Sequence, residues 1–292
     1  MKIDKNKIEF FLFSNLTRLL KKLGLERTRR FARIIGVFIY YFIPIRRSTA
    51  ISNLSNAFPQ KSSSEIRSIT RKNYQNITIT FFELMLMPHL STDIIKNQVE
   101  CDKIKLIQEK MEEGKGVILL TGHFGNWEFI VSSIAAKIAG SFNVLVKPQR
   151  NPYVTKWLEE TRHVANTKVI PIGVSVKSIY QALKNGEAVL IAGDQRGHKD
   201  GPRFRFFNRQ TALYTGAASI ADRTGAAVLM CIIERQNNLK YNLHVEELDF
   251  SGIPENNEEK IAILTQRYID YLERIVTRSP EQYFWMHKLW KY

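Results

Sequence analysis

Two cysteines in 292 residues, Cys101 and Cys231, set out no metal-ligand spacing and no disulfide framework. The chain therefore fits a reducing compartment, and both thiols read as small core residues. No apolar run reaches the roughly 20 residues that a spanning helix needs. The charge-free stretch from Ile34 to Ile45 covers only twelve, with Arg33 before it, Arg46 and Arg47 after it, and Pro44 near its end. No small-residue cleavage site follows, so a cleaved secretory signal is not expected. Internal repeats and low-complexity linkers are missing as well. Acids are scarce: 28 Asp and Glu stand against 43 Lys and Arg, a formal charge of +15.

The excess is local. Residues 1–50 hold twelve Lys or Arg and three acids, a net +9. Such a segment attracts nucleic acid, anionic lipid or an acidic protein. Its apolar content chooses among them. "IEFFLFSNLTRLLKKLGL" sets Phe10, Phe11, Phe13, Leu16, Leu19, Leu20 and Leu23 among the cations, and "FARIIGVFIYYFIPI" follows. We read residues 1–48 as an interfacial or shallowly inserted element that snorkels its arginines to lipid headgroups. A buried helix of a soluble domain is the plainer alternative.

The remainder, 49–292, is long enough for one large domain with ample core. It reads as helical to about residue 110, with no strand expected before 115. Short apolar runs then recur at Gly116–Thr121, Asn143–Lys147, Lys168–Ile172, Ala188–Ala192 and Ala226–Ile233. Helical patterns alternate with them: "VSVKSIYQALKNGE" ends at Gly186 and "YTGAASIADRTGA" at Gly225. "PENNEEK" is an acidic loop feeding a last helix. This alternation predicts an α/β fold with a mixed, largely parallel central sheet flanked by helices. Open sheets of that kind place their sites at the carboxyl ends of the strands.

"TGHFGNWE", residues 121–128, falls at one such end. Gly122, Gly125 and Asn126 suffice for a turn and a helix start, yet the stretch also carries His123 and Glu128. The spacing H-x-x-x-x-[DE] alone is weak. "HVEELD" satisfies it too, with His244 and Asp249, inside an alternating strand pattern that needs no chemistry. Context separates the two. His123 follows a buried strand and is flanked by glycines, and Glu128 falls in the first helical turn. A neutral imidazole beside a carboxylate is a general base with a fixed tautomer. No serine or cysteine lies within the motif, so the nucleophile would come from a substrate hydroxyl. On these residues alone, a turn histidine and a capping glutamate remain an open alternative.

"GKGVILLTGHFGNWE" resembles the catalytic motif of the bacterial lipid A late acyltransferases, within the larger glycerolipid acyltransferase group. The likeness extends to "AISNLSNAFPQKS" (50–62), "KPQRNPYVTKWLEETR" (147–162), "ALKNGEAVLIAGDQRG" (182–197), "RFFNRQTALYTGAASIADRTGAAVL" and the ending "SPEQYFWMHKLWK". The resemblance implies acyl transfer from a thioester, on acyl carrier protein or coenzyme A, to a hydroxyl of a lipid A precursor. It implies His123 as base, Glu128 as its orienting carboxylate and Arg162 as the first candidate for the oxyanion, with Asn126 behind it. Asp194 and Gln195 match a block at a strand end and would shape the site and hold the acceptor. No cofactor or metal is implied. The final block departs from the family pattern, with Leu289 where a basic residue is usual. A lysophospholipid, an aminolipid or a mannosylated phosphoinositide would suit the same chemistry as acceptor, and a non-enzymatic membrane or nucleic-acid module would explain the charge alone.

Three further stretches carry suggestive residue types. "DQRGHKD" offers Asp194, His198 and Asp200, metal-ligand types in a loop that thioester chemistry does not require. "RFRFF" (203–207) alternates cations with aromatics and is read at lipid headgroup level rather than stacked on bases. "MHKLWKY" reads as an ordinary tail. With these the expected partners are an acyl donor, a lipid acceptor and an anionic membrane surface, not nucleic acid. The expected place is the cytoplasmic face of the inner membrane.

Overall fold

The helical first third follows from local signals. In the computed structural model, which describes residues 4–162, 167–172, 176–254 and 256–291, Asp4 caps α1 (Lys5–Phe42) by accepting from the Asn6 and Lys7 amides. Gly24 breaks α1 with φ 71°, a conformation glycine adopts without strain. After a turn, α2 (Arg47–Ala57) leads to α3 (Ser63–Leu86), which opens on a capping box of Ser62 and Glu65. The basic N-terminal helix is not detached: Leu20 and Ala32 of α1 pack with Ile79, Phe82 and Leu86 of α3. Its outer face leaves Ile8, Phe11, Leu12, Leu19, Ile34 and Phe38 exposed. Among the described residues no single helix is long and apolar enough to cross a membrane; α1 and α2, bent by 96°, pass that test only as a pair.

Ser91 caps α4 (Thr92–Gln98), and β1 (Val99–Glu100) is a two-residue strand, the one element before 115 that the sequence reading misses. After α5 (Ile104–Glu112) the chain alternates. It forms β2 (Val117–Thr121), α6 (Phe129–Ala135), β3 (Phe142–Val146), α7 (Pro152–Arg162), β4 (Thr167–Pro171), α8 (Val176–Lys184) and β5 (Ala188–Ala192). Then come β6 (Arg203–Phe206), β7 (Arg209–Ala212), α9 (Gly216–Thr224), β8 (Ala227–Arg235), β9 (Tyr241–Glu247) and α10 (Asn257–Arg278). The start of the helix read from residue 174, residue 255 of the acidic loop and the last residue lie outside the described residues.

Seven strands make one sheet in the order β1-β9-β8-β2-β5-β3-β4. All neighbours are parallel except β8 and β9. β2 is buried along its whole length, as a parallel strand covered on both faces should be. Its side chains alternate between two cores. Ile118 and Leu120 join α8, α9 and α10, whereas Val117 and Leu119 join α5, α6 and α7.

The same period corrects the reading of "RFRFF". Its residues 203–206 form β6, paired antiparallel with β7; Phe204 and Phe206 turn into the core and Phe207 is buried beside them. The cations face out and the rings do not, so they meet neither lipid nor bases. The C-terminal stretch is no loose tail either: Tyr283, Trp285 and Leu289 are buried, and Asn53 donates to the carbonyls of Trp285 and His287. Leu289, the departure from the family's basic residue, fills core.

Candidate active site

Register builds the site. Thr121 ends β2 opposite Ala192, which ends β5. His123 and Asp194 each lie two residues past those ends, on adjacent strands, where open α/β sheets place their chemistry. Gly125 makes the corner possible. It has φ 59°, and a Cβ there would sit 1.9 Å from the Ile233 carbonyl oxygen. The C-terminal strap closes over it: Gly125 N donates to Gln282 O at 3.1 Å and Phe284 N to His123 O at 2.9 Å.

His123 meets Asp194 twice. Its backbone N–H donates to Oδ2 at 2.8 Å, and Nδ1 lies 2.7 Å from Oδ1. With the Nδ1 proton given to that carboxylate, Nε2 keeps its lone pair and accepts from the Gln195 amide at 3.2 Å. Trp127 packs edge-on against the imidazole, ring centres 5.1 Å apart, and Phe284 lies behind at 6.2 Å. Burial opposes the His123 charge, but the Asp194 charge and hydrogen bond outweigh it and hold the imidazole pKa above its ordinary value. Asp194, 3% exposed, is likewise pushed up by burial but pulled below the usual carboxylate range by His123.

The expected role of Glu128 is therefore corrected. The carboxylate on the ring belongs to Asp194. Glu128 stands at the N-cap of α6, just before its first turn, and faces Arg162 at the end of α7. Arg162 holds it bidentately, Nε to Oε2 at 3.0 Å and Nη2 to Oε1 at 2.8 Å. The Glu128 charge still reaches His123 and favours the imidazolium. Asn126 is corrected too. It is fully buried and donates to Glu83 Oε2 at 2.8 Å, so it is not offered to a substrate. Asp194 is not free to hold an acceptor, whereas Gln195 reaches both the ring and the cavity.

That cavity has a volume of about 410 Å³ and starts at the 121–128 corner. It lies within the roughly 300–1,000 Å³ of ordinary ligand pockets. His123, Glu128, Arg162 and Gln195 form its polar end. Its walls are Val131 of α6, Val144 of β3, Trp157 and Leu158 of α7, Leu84 of α3 and Phe13 of α1. The slot suits an apolar tail with its head at the imidazole.

Other sequence candidates disperse. Asp194 is committed to His123, while His198 and Asp200 pair with each other at 3.4 Å on an exposed loop. Among the described residues no three His, Cys, Asp or Glu side chains converge as a metal site would require. His244 donates across to Glu234 of β8 at 3.0 Å, and Asp249 accepts from Ser251.

Comparison with known proteins gives the family. The family model for bacterial lipid A biosynthesis acyltransferases matches residues 4–292. The chain is 23% identical over 262 residues to the lipid A biosynthesis palmitoleoyltransferase of Escherichia coli (strain K12), covering 88% of this chain and 82% of that protein. It is 25% identical over 263 residues to the lipid A biosynthesis lauroyltransferase of the same organism, covering 88% and 83%. The lipid A biosynthesis acyltransferase of Haemophilus influenzae is 23% identical over 260 residues, covering 87% and 79%. The imidazole at the strand ends, its apolar slot and a family match along nearly the whole chain lead to one conclusion: the chain belongs to the bacterial lipid A biosynthesis acyltransferase family and is an acyltransferase.

Proposed function

We propose that the protein moves a fatty acyl chain from an acyl thioester to a hydroxyl of a lipid A precursor at the cytoplasmic face of the inner membrane. The observation that carries this reading is the juxtaposition of His123 Nε2 with the mouth of an apolar cavity. The acyl tail fills the slot and its thioester carbonyl sits at the polar end. The acceptor hydroxyl displaces the Gln195 amide from Nε2 and gives up its proton there, while Asp194 steadies the imidazolium. The acceptor oxygen bonds to the thioester carbon, the tetrahedral intermediate collapses, and the thiolate leaves with the proton held by His123. No acyl-enzyme forms. Arg162, anchored by Glu128, supplies the donor for the oxyanion.

The acceptor side is basic. Arg46 donates to Met286 O at 3.3 Å and Arg196 to Lys288 O at 3.0 Å, one on each side of His287. Burial lowers the His287 pKa; the charges of Asp194, His123, Arg196 and Arg46 all reach it. Two guanidiniums around His287, whose surroundings also feel the charges of His123 and Asp194, suit the phosphates of a lipid A precursor. The exposed apolar face of α1, with its lysines and arginines, forms the membrane-associating part within residues 1–48. The same basic surface suits either donor, since acyl carrier protein is acidic and coenzyme A carries phosphates.

The test is a panel of acyl carrier protein and coenzyme A thioesters against an under-acylated lipid A precursor, a lysophospholipid and a mannosylated phosphoinositide, read by mass. A mass gain of one acyl chain on the lipid A precursor is expected. Gain only on another acceptor would replace the substrate assignment, and undiminished transfer by His123→Ala would end the mechanism.

A further inference from the structure

Glu83, on α3, has no exposed surface, and it lies between the guanidiniums of Arg29 and Arg235, each 3% exposed. Oε1 accepts from Arg29 Nε. Oε2 accepts from the Tyr241 hydroxyl, from Asn126 Nδ2 at 2.8 Å and from Arg235 Nη2 at 3.5 Å. Both arginines also lie over the Tyr241 ring, at 5.8 and 5.3 Å from its centre. Two cations and one anion are thus sealed inside the fold. Such clusters are weak sources of stability, because desolvation offsets their attraction. A stability role alone gives poor reason for this one.

Its contacts converge on one place. Asn126 belongs to the catalytic corner. Arg235 Nη2 also donates to Thr80 Oγ1 at 2.9 Å, and Thr80 donates to Gly125 O at 2.8 Å. Gln282 brackets the Arg235 backbone, accepting from its N–H at 2.7 Å and donating to its carbonyl at 2.8 Å. The carbonyl of Gln282 in turn receives Gly125 N. Residues 125 and 126 are therefore held on both sides by groups that trace back to Glu83 and Arg235. Arg29 ties α1, which already lends Phe13 to the cavity wall, to the polar network behind the corner.

We propose that Arg29, Glu83 and Arg235 are positioning residues for acyl transfer, fixing the Gly125–Asn126 end of the corner so that His123 stays in register with Asp194. The proposal rests on His123 being the base. It makes the N-terminal helix part of the catalytic apparatus as well as a surface element. A displacement of about 1 Å at a reacting group can cost on the order of a hundredfold in rate.

Asn126→Leu is the cleanest probe. Asn126 Oδ1 is buried with no hydrogen-bond partner, so leucine removes one N–H bond, keeps the volume and leaves Glu83 neutralised by both arginines. We expect kcat to fall about tenfold or more with KM for donor and acceptor within about twofold. The acid limb of the pH–rate profile should move down toward the ordinary histidine value as the Asp194 contact loosens, with Tm little changed. Arg29→Met combined with Glu83→Gln retains the buried net charge of the trio, and neither residue lines the cavity. It should reproduce the kcat loss and the pH shift, and Arg29→Lys alone should retain more activity than Arg29→Met alone. Wild-type kcat and acid limb in Asn126→Leu would overturn the proposal, whatever happens to Tm. Should the paired variant fail to accumulate as folded protein, Asn126→Leu decides by itself. Full activity in His123→Ala would instead remove the reading on which the proposal stands.

Discussion

The same five-residue spacing occurs twice in this chain with opposite outcomes. His123 to Glu128 spans the end of β2 and the start of α6; His244 to Asp249 runs along β9 and out of it. At the first corner the imidazole is gripped by a buried aspartate from another strand and faces a cavity. At the second it pairs with Glu234 on the neighbouring strand, half-exposed, and does not line that cavity. Neither histidine pairs with the acid that the spacing pointed to. The lesson is that the spacing marks a place to look, and that strand position and register decide what is found there.

The comparison can be broken most directly by exchanging its members. His123→Ala should lower kcat by about a thousandfold or more, the scale of a lost general base that also orders the site. His244→Ala should leave kcat within about twofold; equal losses would erase the distinction. Asp194→Asn should come next, at about a hundredfold or more, and it carries a direction. On the proposed mechanism the neutral imidazole is the active form. Because His123 is held above its ordinary pKa, the acid limb of activity should lie above 6.5, the ordinary histidine value, and losing Asp194 should move it to lower pH. Asp249→Asn should not move it. The pair's contribution to stability follows the same signs. The His123 share is present at low pH and lost as pH rises through its raised pKa. The Asp194 share is lost as pH falls through its lowered pKa.

Glu128→Gln removes the charge that anchors Arg162 without touching the ring contact. A kcat loss of about tenfold to a hundredfold is expected, with the acid limb shifted only slightly. A large shift of that limb would return the orienting role to Glu128. Val131→Phe tests the cavity. It should leave the base chemistry intact while moving donor preference to shorter chains, read as relative kcat/KM across a thioester series. The smallest effect expected is on stability: His244→Ala should cost less than about 1 kcal/mol in denaturant unfolding, as a partly exposed pair would.

Much of this was legible from the residues. The five apolar runs after residue 115 are β2, β3, β4, β5 and β8, because buried parallel strands leave continuous aliphatic stretches. The corner at 121–128 announced itself through glycine, histidine and its strand-end position. The choice of carboxylate did not, because it depends on β2 and β5 being neighbours in register, a pairing of residues 71 apart. Reading the aromatics of 203–207 as a surface patch hides the hairpin at 203–212, although their alternation with arginine indicates a strand with one buried face. Glu83 left a trace as well. It is the lone acid in the mostly apolar "TFFELML", and buried acids require partners.

The register of β2 against β5 has a consequence for tolerance to change. Because the ladder of interstrand hydrogen bonds sets where the imidazole and its aspartate meet, one residue inserted after Thr121 or after Ala192 would part them while every side chain survived. A longer insertion into the exposed loop around His198, beyond Asp194, would leave them facing each other. Length variation in this chain should therefore be forbidden between the strand ends and these two side chains and permitted in the exposed loop around His198.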